Sequence, residues 1–182
     1  MDKKVYVHLA EGFEEIEAMA TIDILIRGGV DAETVSVTGE RIVKSVRGIG
    51  VQCDRLFEEV DYSLGEMIVL PGGQPGVNNL SAHRGLAQKL KEYQDQGKWI
   101  GAICAAPIAL HRNGLIDGKT VTCYPGCGDD FDEATVVVEK VVMDGKLITS
   151  RGPGTAIEFG LKLLEVLKGK DVADEVRAKL LA

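Results

Sequence analysis

No stretch of this chain has the length of apolar residues that a membrane span needs, and aromatic residues make up only 5% of its 182 positions. Histidine occurs three times, at His8, His83 and His111, which leaves little material for histidine-based catalysis. Cysteine occurs four times, at Cys53, Cys104, Cys123 and Cys127, without the density of a disulfide framework for a chain this size. Cys123 and Cys127 are spaced C-x-x-x-C with no second ligand pair, which argues against a zinc site, and no metal is expected. The net charge of −7 argues against nucleic acid or an anionic membrane as partner. Met1-Asp2-Lys3-Lys4 runs directly into a strand-like segment, so no signal peptide is expected. With no disulfide framework, a reducing cytoplasm is the expected home. No internal repeat, low-complexity segment or linker divides the chain, and one domain over residues 1–182 is expected.

What is present is a regular alternation of two periods. Val5 to Leu9, Glu33 to Val37, Glu66 to Leu70 and Trp99 to Ile103 read as strands of nearly continuous apolar character. Glu14 to Ile26, Arg84 to Gln96, Thr155 to Leu167 and Val172 to Leu181 carry helical spacing. Ile42 to Val46 and Gly50 to Cys53 read as a hairpin of edge strands. Val121 to Tyr124 and Thr135 to Val138 read as short strands, and Val141 to Ile148 as a hairpin turning at Asp144-Gly145. Strands alternating with helices predict an α/β fold with a mostly parallel sheet. Chemistry in such sheets collects beyond the carboxyl ends of the strands. That rim would hold Glu11 to Glu17, the glycine loop after Leu70 and Cys104, with Tyr124 to Asp130 as a fourth segment.

Trp99-Ile100-Gly101-Ala102-Ile103-Cys104-Ala105-Ala106-Pro107 is the stretch around which the rest is organised. A buried strand runs to Ile103, helical spacing follows from Ala105 to Asn113, and Cys104 falls on the junction. Ala102 and Ala106 are small, as a sharp strand-to-helix turn requires; this is the steric logic of a nucleophile elbow. A thiol facing the free N–H groups of a helix start has a stabilised thiolate, so Cys104 is the candidate nucleophile. Free cysteines are more often inert core. Glu14, Glu15 and Glu17 crowd the first helix start, where dipole complementarity accounts for one or two of them. One of the three, protonated, would suit a position beside the thiol; an ionised carboxylate there would raise the thiol's pKa, and the two would titrate together. Spacing does not choose among them. Pro71-Gly72-Gly73 is either a plain turn or a set of backbone donors for an oxyanion hole. No lysine follows it as a phosphate loop requires. Ser150-Arg151-Gly152-Pro153-Gly154-Thr155 either punctuates the chain before a helix or buttresses the site. His8 reads as a core residue. No histidine is placed to serve Cys104 as a base, which disfavours a papain-like dyad.

Four of these segments, Ala10-Glu11-Gly12-Phe13-Glu14-Glu15-Ile16-Glu17, Val69-Leu70-Pro71-Gly72-Gly73, Ala102-Ile103-Cys104-Ala105-Ala106-Pro107 and Ser150 to Thr155, resemble the signatures of the ThiJ/PfpI superfamily. Within it the chain is similar to the branch of the parkinsonism-associated protein and its bacterial ThiJ-like relatives, from Lys4 to about Leu180. The resemblance implies a flavodoxin-like α/β/α sandwich that forms a homodimer and uses no cofactor. It implies that Cys104 is the reactive, easily oxidised cysteine and Glu17 the protonated glutamate bonded to its sulfur. Gly73 and Ala105 then supply backbone N–H groups, and Glu14 and Arg27 match charged positions near the dimer interface and pocket mouth. Two departures stand out. Ala105 occupies the place of the histidine in the protease-like branch, which argues against peptidase activity. Tyr124 stands where the parkinsonism-associated protein has a histidine, and a phenol of pKa about 10 is a poor base. The implied activity is cofactor-independent conversion of glyoxal or methylglyoxal to hydroxy acids, or removal of their early adducts from amino groups. The alternative is a redox sensor or stress chaperone working through oxidation of Cys104.

Overall fold

The computed structural model describes residues 4–182. Seven strands form the central sheet in the order β10 (Val141–Asp144), β11 (Leu147–Ser150), β7 (Trp99–Ile103), β6 (Gly65–Leu70), β1 (Lys4–Leu9), β2 (Asp31–Ser36) and β5 (Arg55–Leu56). All neighbours pair in parallel except β10, which runs antiparallel to β11 through the Asp144-Gly145 turn. β1, β6 and β7 are covered on both faces, so Val5, Val7, Leu9, Ile68, Leu70, Ile100 and Ile103 are all buried. This explains why those strands read as unbroken apolar runs.

Right-handed crossovers decide which helix covers which face. The connection from β1 to β2 moves one way along the sheet and carries α1 (Glu15–Arg27). The connection from β6 to β7 moves the other way and carries α2 (Gly76–Ala82) and α3 (Arg84–Asp95), so these helices lie on the opposite face. α4 (Pro107–His111) packs beside α2, whereas α5 (Ala156–Lys168) packs against α1 and carries α6 (Lys170–Leu180) on its flank. Gly160 makes the α1–α5 approach possible, since a Cβ there would stand 2.9 Å from Ile24 Cδ1. The result is a flavodoxin-like three-layer α/β/α sandwich.

The hairpin of β3 (Ile42–Lys44) and β4 (Gly50–Gln52) stands outside the sheet. It is tied to the loop after β1 by Gly12 N–H donating to Lys44 O at 2.8 Å and Val46 N–H donating to Phe13 O at 2.8 Å. Several sequence expectations change; the edge strand β5 is unexpected, and three further differences bear on the site. The helix expected from Ala105 starts only at Pro107, because residues 104–106 close a tight turn in which Ala106 N–H donates to Ile103 O at 3.0 Å. The strand expected from Val121 to Tyr124 is only β8 (Thr120–Val121), paired with β9 (Thr135–Val136); Cys123 and Tyr124 bend away towards the elbow. The α2 helix is an addition, since glycine, asparagine and serine in its sequence obscure its period.

Candidate functional site

β1 has β2 on one side and β6 on the other, so the chain leaves the sheet in opposite directions after β1 and β6. In open α/β sheets, sites are built at such a switch point. Here Glu17 from the first turn of α1, Gly72 from the loop after β6, and Cys104 from the end of the adjacent β7 come together.

Cys104 has φ +64°, in the left-handed region that a residue with a Cβ adopts at a cost of about 1–2 kcal/mol. Hydrogen bonds on both sides hold that conformation. Its N–H donates to Ser150 O and its carbonyl accepts from Tyr124 N–H, each at 2.9 Å. Ser150 is fixed in turn, with Oγ donating to Lys140 O at 2.6 Å and lying 2.7 Å from Thr155 Oγ1. The Ser150 to Thr155 segment therefore buttresses the elbow, and its helix-entry role is separate: Thr155 Oγ1 accepts from Gly152 N–H at 3.2 Å.

Glu17 is fully buried. Its backbone N–H donates to Glu14 Oε2 at 2.8 Å, an N-terminal cap that fixes α1 against the loop. One carboxyl oxygen, Oε2, accepts the Gly72 N–H at 2.7 Å. The other has no hydrogen-bond partner among the described residues, and the carboxyl lies close enough to the Cys104 thiol for each group to shift the titration of the other. Gly72 is the joint between the two: a Cβ there would stand 2.6 Å from Cys104 Cβ, 2.8 Å from Glu17 Oε2 and 3.0 Å from Ile103 O. No side chain fits. The loops carrying Gly12 and Gly73 meet just as closely, with Glu14 N–H donating to Gly72 O at 2.8 Å. A Cβ on Gly73, whose φ is +94°, would stand 2.5 Å from Glu14 N.

Burial pushes the Glu17 carboxyl up to about 7, against the opposing pull of the thiol and of the Gly72 N–H, with the nearby Glu14 adding to the rise. Burial and the Glu17 carboxylate push the Cys104 thiol up, and the Ala105 N–H directed at the sulfur pulls it down. The expected helix-start stabilisation is thus weaker than the sequence suggested, because the regular helix begins only at Pro107, three residues beyond Cys104. Carboxyl and thiol titrate as one pair. Proton transfer from thiol to carboxylate inside the pair yields a thiolate beside a neutral carboxyl, without moving charge to solvent.

The remaining sequence-derived residues divide into two groups. Tyr124 joins the site through its backbone bond to Cys104, and its half-exposed ring lies over Gly152, whose Cβ would stand 3.3 Å from Tyr124 Cδ2. Glu14 lies behind Glu17 and receives Arg47 Nη1 at 3.2 Å on its second oxygen. Arg47, which also reaches Glu15 at 3.3 Å, has no motif in the sequence; only the fold brings the hairpin to this rim. Arg27 is not brought to the site within one chain. It closes the far end of α1, ten residues from Glu17, or about 15 Å along the axis, and pairs with Asp23 at 2.6 Å. His8 is a core residue, fully buried 2.7 Å from the Tyr62 hydroxyl, and burial lowers it to about 3. His83 Nδ1 caps α3 by accepting Leu86 N–H at 3.0 Å. Among the described residues no group of histidine, cysteine or acidic side chains is arranged to hold a metal, and no helix is long and apolar enough to cross a membrane.

The model of the DJ-1/PfpI family matches residues 3–166. Protein dj-1beta of Drosophila melanogaster is 38% identical over 183 residues, covering 100% of this chain and 98% of the relative. A crystal structure of Drosophila melanogaster DJ-1beta superposes with a TM-score of 0.97, covering 100% of this chain and 99% of that one. Protein DJ-1 homolog A of Arabidopsis thaliana is 41% identical over 182 residues; the match takes in 98% of this chain but 46% of the relative, so the chain spans about half of that protein. Glutathione-independent glyoxalase DJR-1.2 of Caenorhabditis elegans is 36% identical over 163 residues, covering 88% of this chain and 86% of the relative. A matching family model over most of its length, and full-length relatives above one-third identity, establish that this chain belongs to the DJ-1/PfpI family.

Proposed function

We propose that this protein is a cofactor-independent, cysteine-dependent enzyme acting on reactive dicarbonyls, or on their early adducts with amino groups. The observation that carries this reading is the pairing of Cys104 with Glu17. A strained elbow presents the sulfur, and a buried carboxyl that titrates near neutrality faces it. The glyoxalase name of the Caenorhabditis elegans relative supports the same class of reaction.

In the proposed sequence, Glu17 takes the thiol proton and the Cys104 sulfur bonds to the aldehyde carbon of methylglyoxal. The aldehyde oxygen collects a proton, completing a hemithioacetal. Glu17 then moves the proton of the former aldehyde carbon to the neighbouring carbonyl carbon, through an enediol, leaving a thioester on Cys104. Water cleaves that thioester to a hydroxy acid and returns the thiol. Electrons balance inside the substrate, one carbon being oxidised and its neighbour reduced, so no external redox partner is required. The Gly73 and Ala105 N–H groups are proposed donors to the developing oxyanion. Tyr124, at the mouth, donates a hydrogen bond to the substrate rather than acting as a base.

Homodimer formation is part of the proposal. Ile16, Met19 and Ile26 expose a stripe along α1, and Ile42, Val46 and Ile49 expose apolar side chains on the hairpin tied to the start of that helix. Apolar groups clustered this way favour burial against a second copy.

The test of the activity is D- and L-lactate formation from methylglyoxal by wild type, Cys104→Ser and Glu17→Gln. Turnover in wild type that falls at least about 100-fold in both variants is expected from loss of nucleophile and proton carrier. Wild-type turnover by Cys104→Ser would refute the reading.

A further inference from the structure

The structure assigns Cys127 a role as resolving thiol: when a hydroperoxide oxidises Cys104, Cys127 captures the sulfenic acid and the two close a reversible disulfide. The inference rests on Cys104 being the reactive thiol, as in the function proposed above. It concerns a residue outside the four sequence signatures, on the loop that bends away from β8 (Thr120–Val121).

Cys104 and the loop carrying Cys123 and Cys127 are joined at this rim. Tyr124 N–H donates to Cys104 O at 2.9 Å, so the loop is anchored on the elbow residue itself. The chain then turns back on Tyr124, with Cys127 N–H donating to Tyr124 O at 3.0 Å. That turn returns Cys127 to the anchored residue, near enough to Cys104 and to Cys123 to disfavour the ionisation of either thiol. Cys123 has a different setting. It is buried, and its sulfur would lie 3.0 Å from a Cβ on Gly128. Cys127 is only partly covered and stands between Gly126, with φ +83° and open space around it, and Gly128. Flanking glycines let the loop swing to the short approach a disulfide requires. Its partial exposure also admits a reducing thiol afterwards.

The chemistry balances. The Cys104 thiolate attacks the hydroperoxide, an S–O bond forms as the O–O bond breaks, and the alkoxide or hydroxide leaves with a proton. The Cys127 sulfur then bonds to the Cys104 sulfur, the S–O bond breaks, and hydroxide leaves as water with the Cys127 proton. The two thiols together supply the two electrons that reduce the hydroperoxide. Without a resolving thiol, sulfenic acid goes on to sulfinic acid, which thiols do not reverse.

The test treats the reduced protein with a several-fold molar excess of hydrogen peroxide, blocks remaining thiols with N-ethylmaleimide and maps the peptides by mass spectrometry. Wild type should yield a Cys104–Cys127 cross-linked peptide pair that dithiothreitol restores to free thiols. Cys127→Ser and Cys127→Ala should instead accumulate Cys104 sulfinic acid, roughly tenfold above wild type at the same dose. Cys123→Ser should behave as wild type. Equal sulfinic acid at Cys104 in wild type and both Cys127 variants would overturn the assignment, as would a Cys123–Cys127 pair in place of the expected one. If Cys104 gains neither oxygen nor a partner in any of these proteins, the reactive-thiol reading itself falls, and this assignment with it.

Discussion

Replacing Glu17 by glutamine isolates the free energy stored in the buried carboxyl. Glutamine is nearly isosteric, keeps an oxygen for the Gly72 N–H and presents an NH2 group to Cys104, so it imitates the protonated acid. In the folded protein the carboxyl is raised from 4.5 to about 7, chiefly by burial. At about 1.4 kcal/mol per pH unit, that rise is worth roughly 3 kcal/mol. The sign follows from proton counting. Between pH 4.5 and 7 the folded state holds a proton that the unfolded state has lost, so stability falls as pH rises through this window. Below pH 4.5 the contribution is fully present, and above about pH 7 it is gone. The groups facing Glu17 are the Cys104 thiol, the Gly72 N–H and, more distantly, Glu14. Glutamine does not ionise and should escape the loss. Urea unfolding at fixed protein concentration, from pH 5 to 8, should therefore show wild type and Glu17→Gln diverging with pH. At pH 8 the variant should be more stable than at pH 5, relative to wild type, by roughly 3 kcal/mol. With a urea dependence of about 1–3 kcal/mol per molar, that is a midpoint difference of about 1 M or more. A stability difference that stays flat across the window would refute the claim that burial dominates this carboxyl.

Two other perturbations address the geometry around the pair and the proposed dimer. Gly72→Ala places a methyl group 2.6 Å from Cys104 Cβ and 3.0 Å from Ile103 O, against parts of the elbow that cannot yield independently. It should cost about 1–3 kcal/mol by overpacking and slow iodoacetamide alkylation of Cys104, measured by thermal unfolding and by mass spectrometry. Alkylation and stability equal to wild type would show that the loop after β6 shifts freely. Ile16→Asp combined with Ile49→Asp puts charge into the exposed apolar surface of α1 and the hairpin, where Ile16 is 55% and Ile49 56% exposed. Light scattering should show a dimer for wild type and a monomer for this variant, while a dimeric variant would move the interface elsewhere.

The architecture was legible because strand burial writes itself into sequence. Val5 to Leu9 and Trp99 to Ile103 are almost wholly apolar, as strands covered on both faces are, and with the alternation of strands and helices that feature implied a mostly parallel sheet. The elbow was legible for a related reason: Ala102, Ala105 and Ala106 are small where the chain reverses around Cys104. What local sequence did not resolve was the partner of the thiol. Glu14, Glu15 and Glu17 have the same charge and nearly the same position, and their difference arises from rotation around α1. That rotation turns Glu17 inward to Gly72, while Glu14 caps the helix and Glu15 turns towards Arg47. Only the resemblance of whole segments singled out Glu17. The α2 helix and the early end of β8 were missed because neither carries a period long enough to detect. Arg47 was missed because it reaches Glu14 from thirty-three residues away.

The charge state of Cys104 illustrates the same division. Its place on a strand-to-helix junction is a property of nine consecutive residues, and those residues suffice to specify a sharp turn. Its titration depends on a carboxyl from α1, a backbone N–H from its own neighbour, the surrounding desolvation and a loop that returns from β8. Sequence patterns determine elements because periodicity and side-chain size act over a few residues. Electrostatic environment belongs to the tertiary structure, because charges and desolvation act through space on groups that the chain brings together only when it folds.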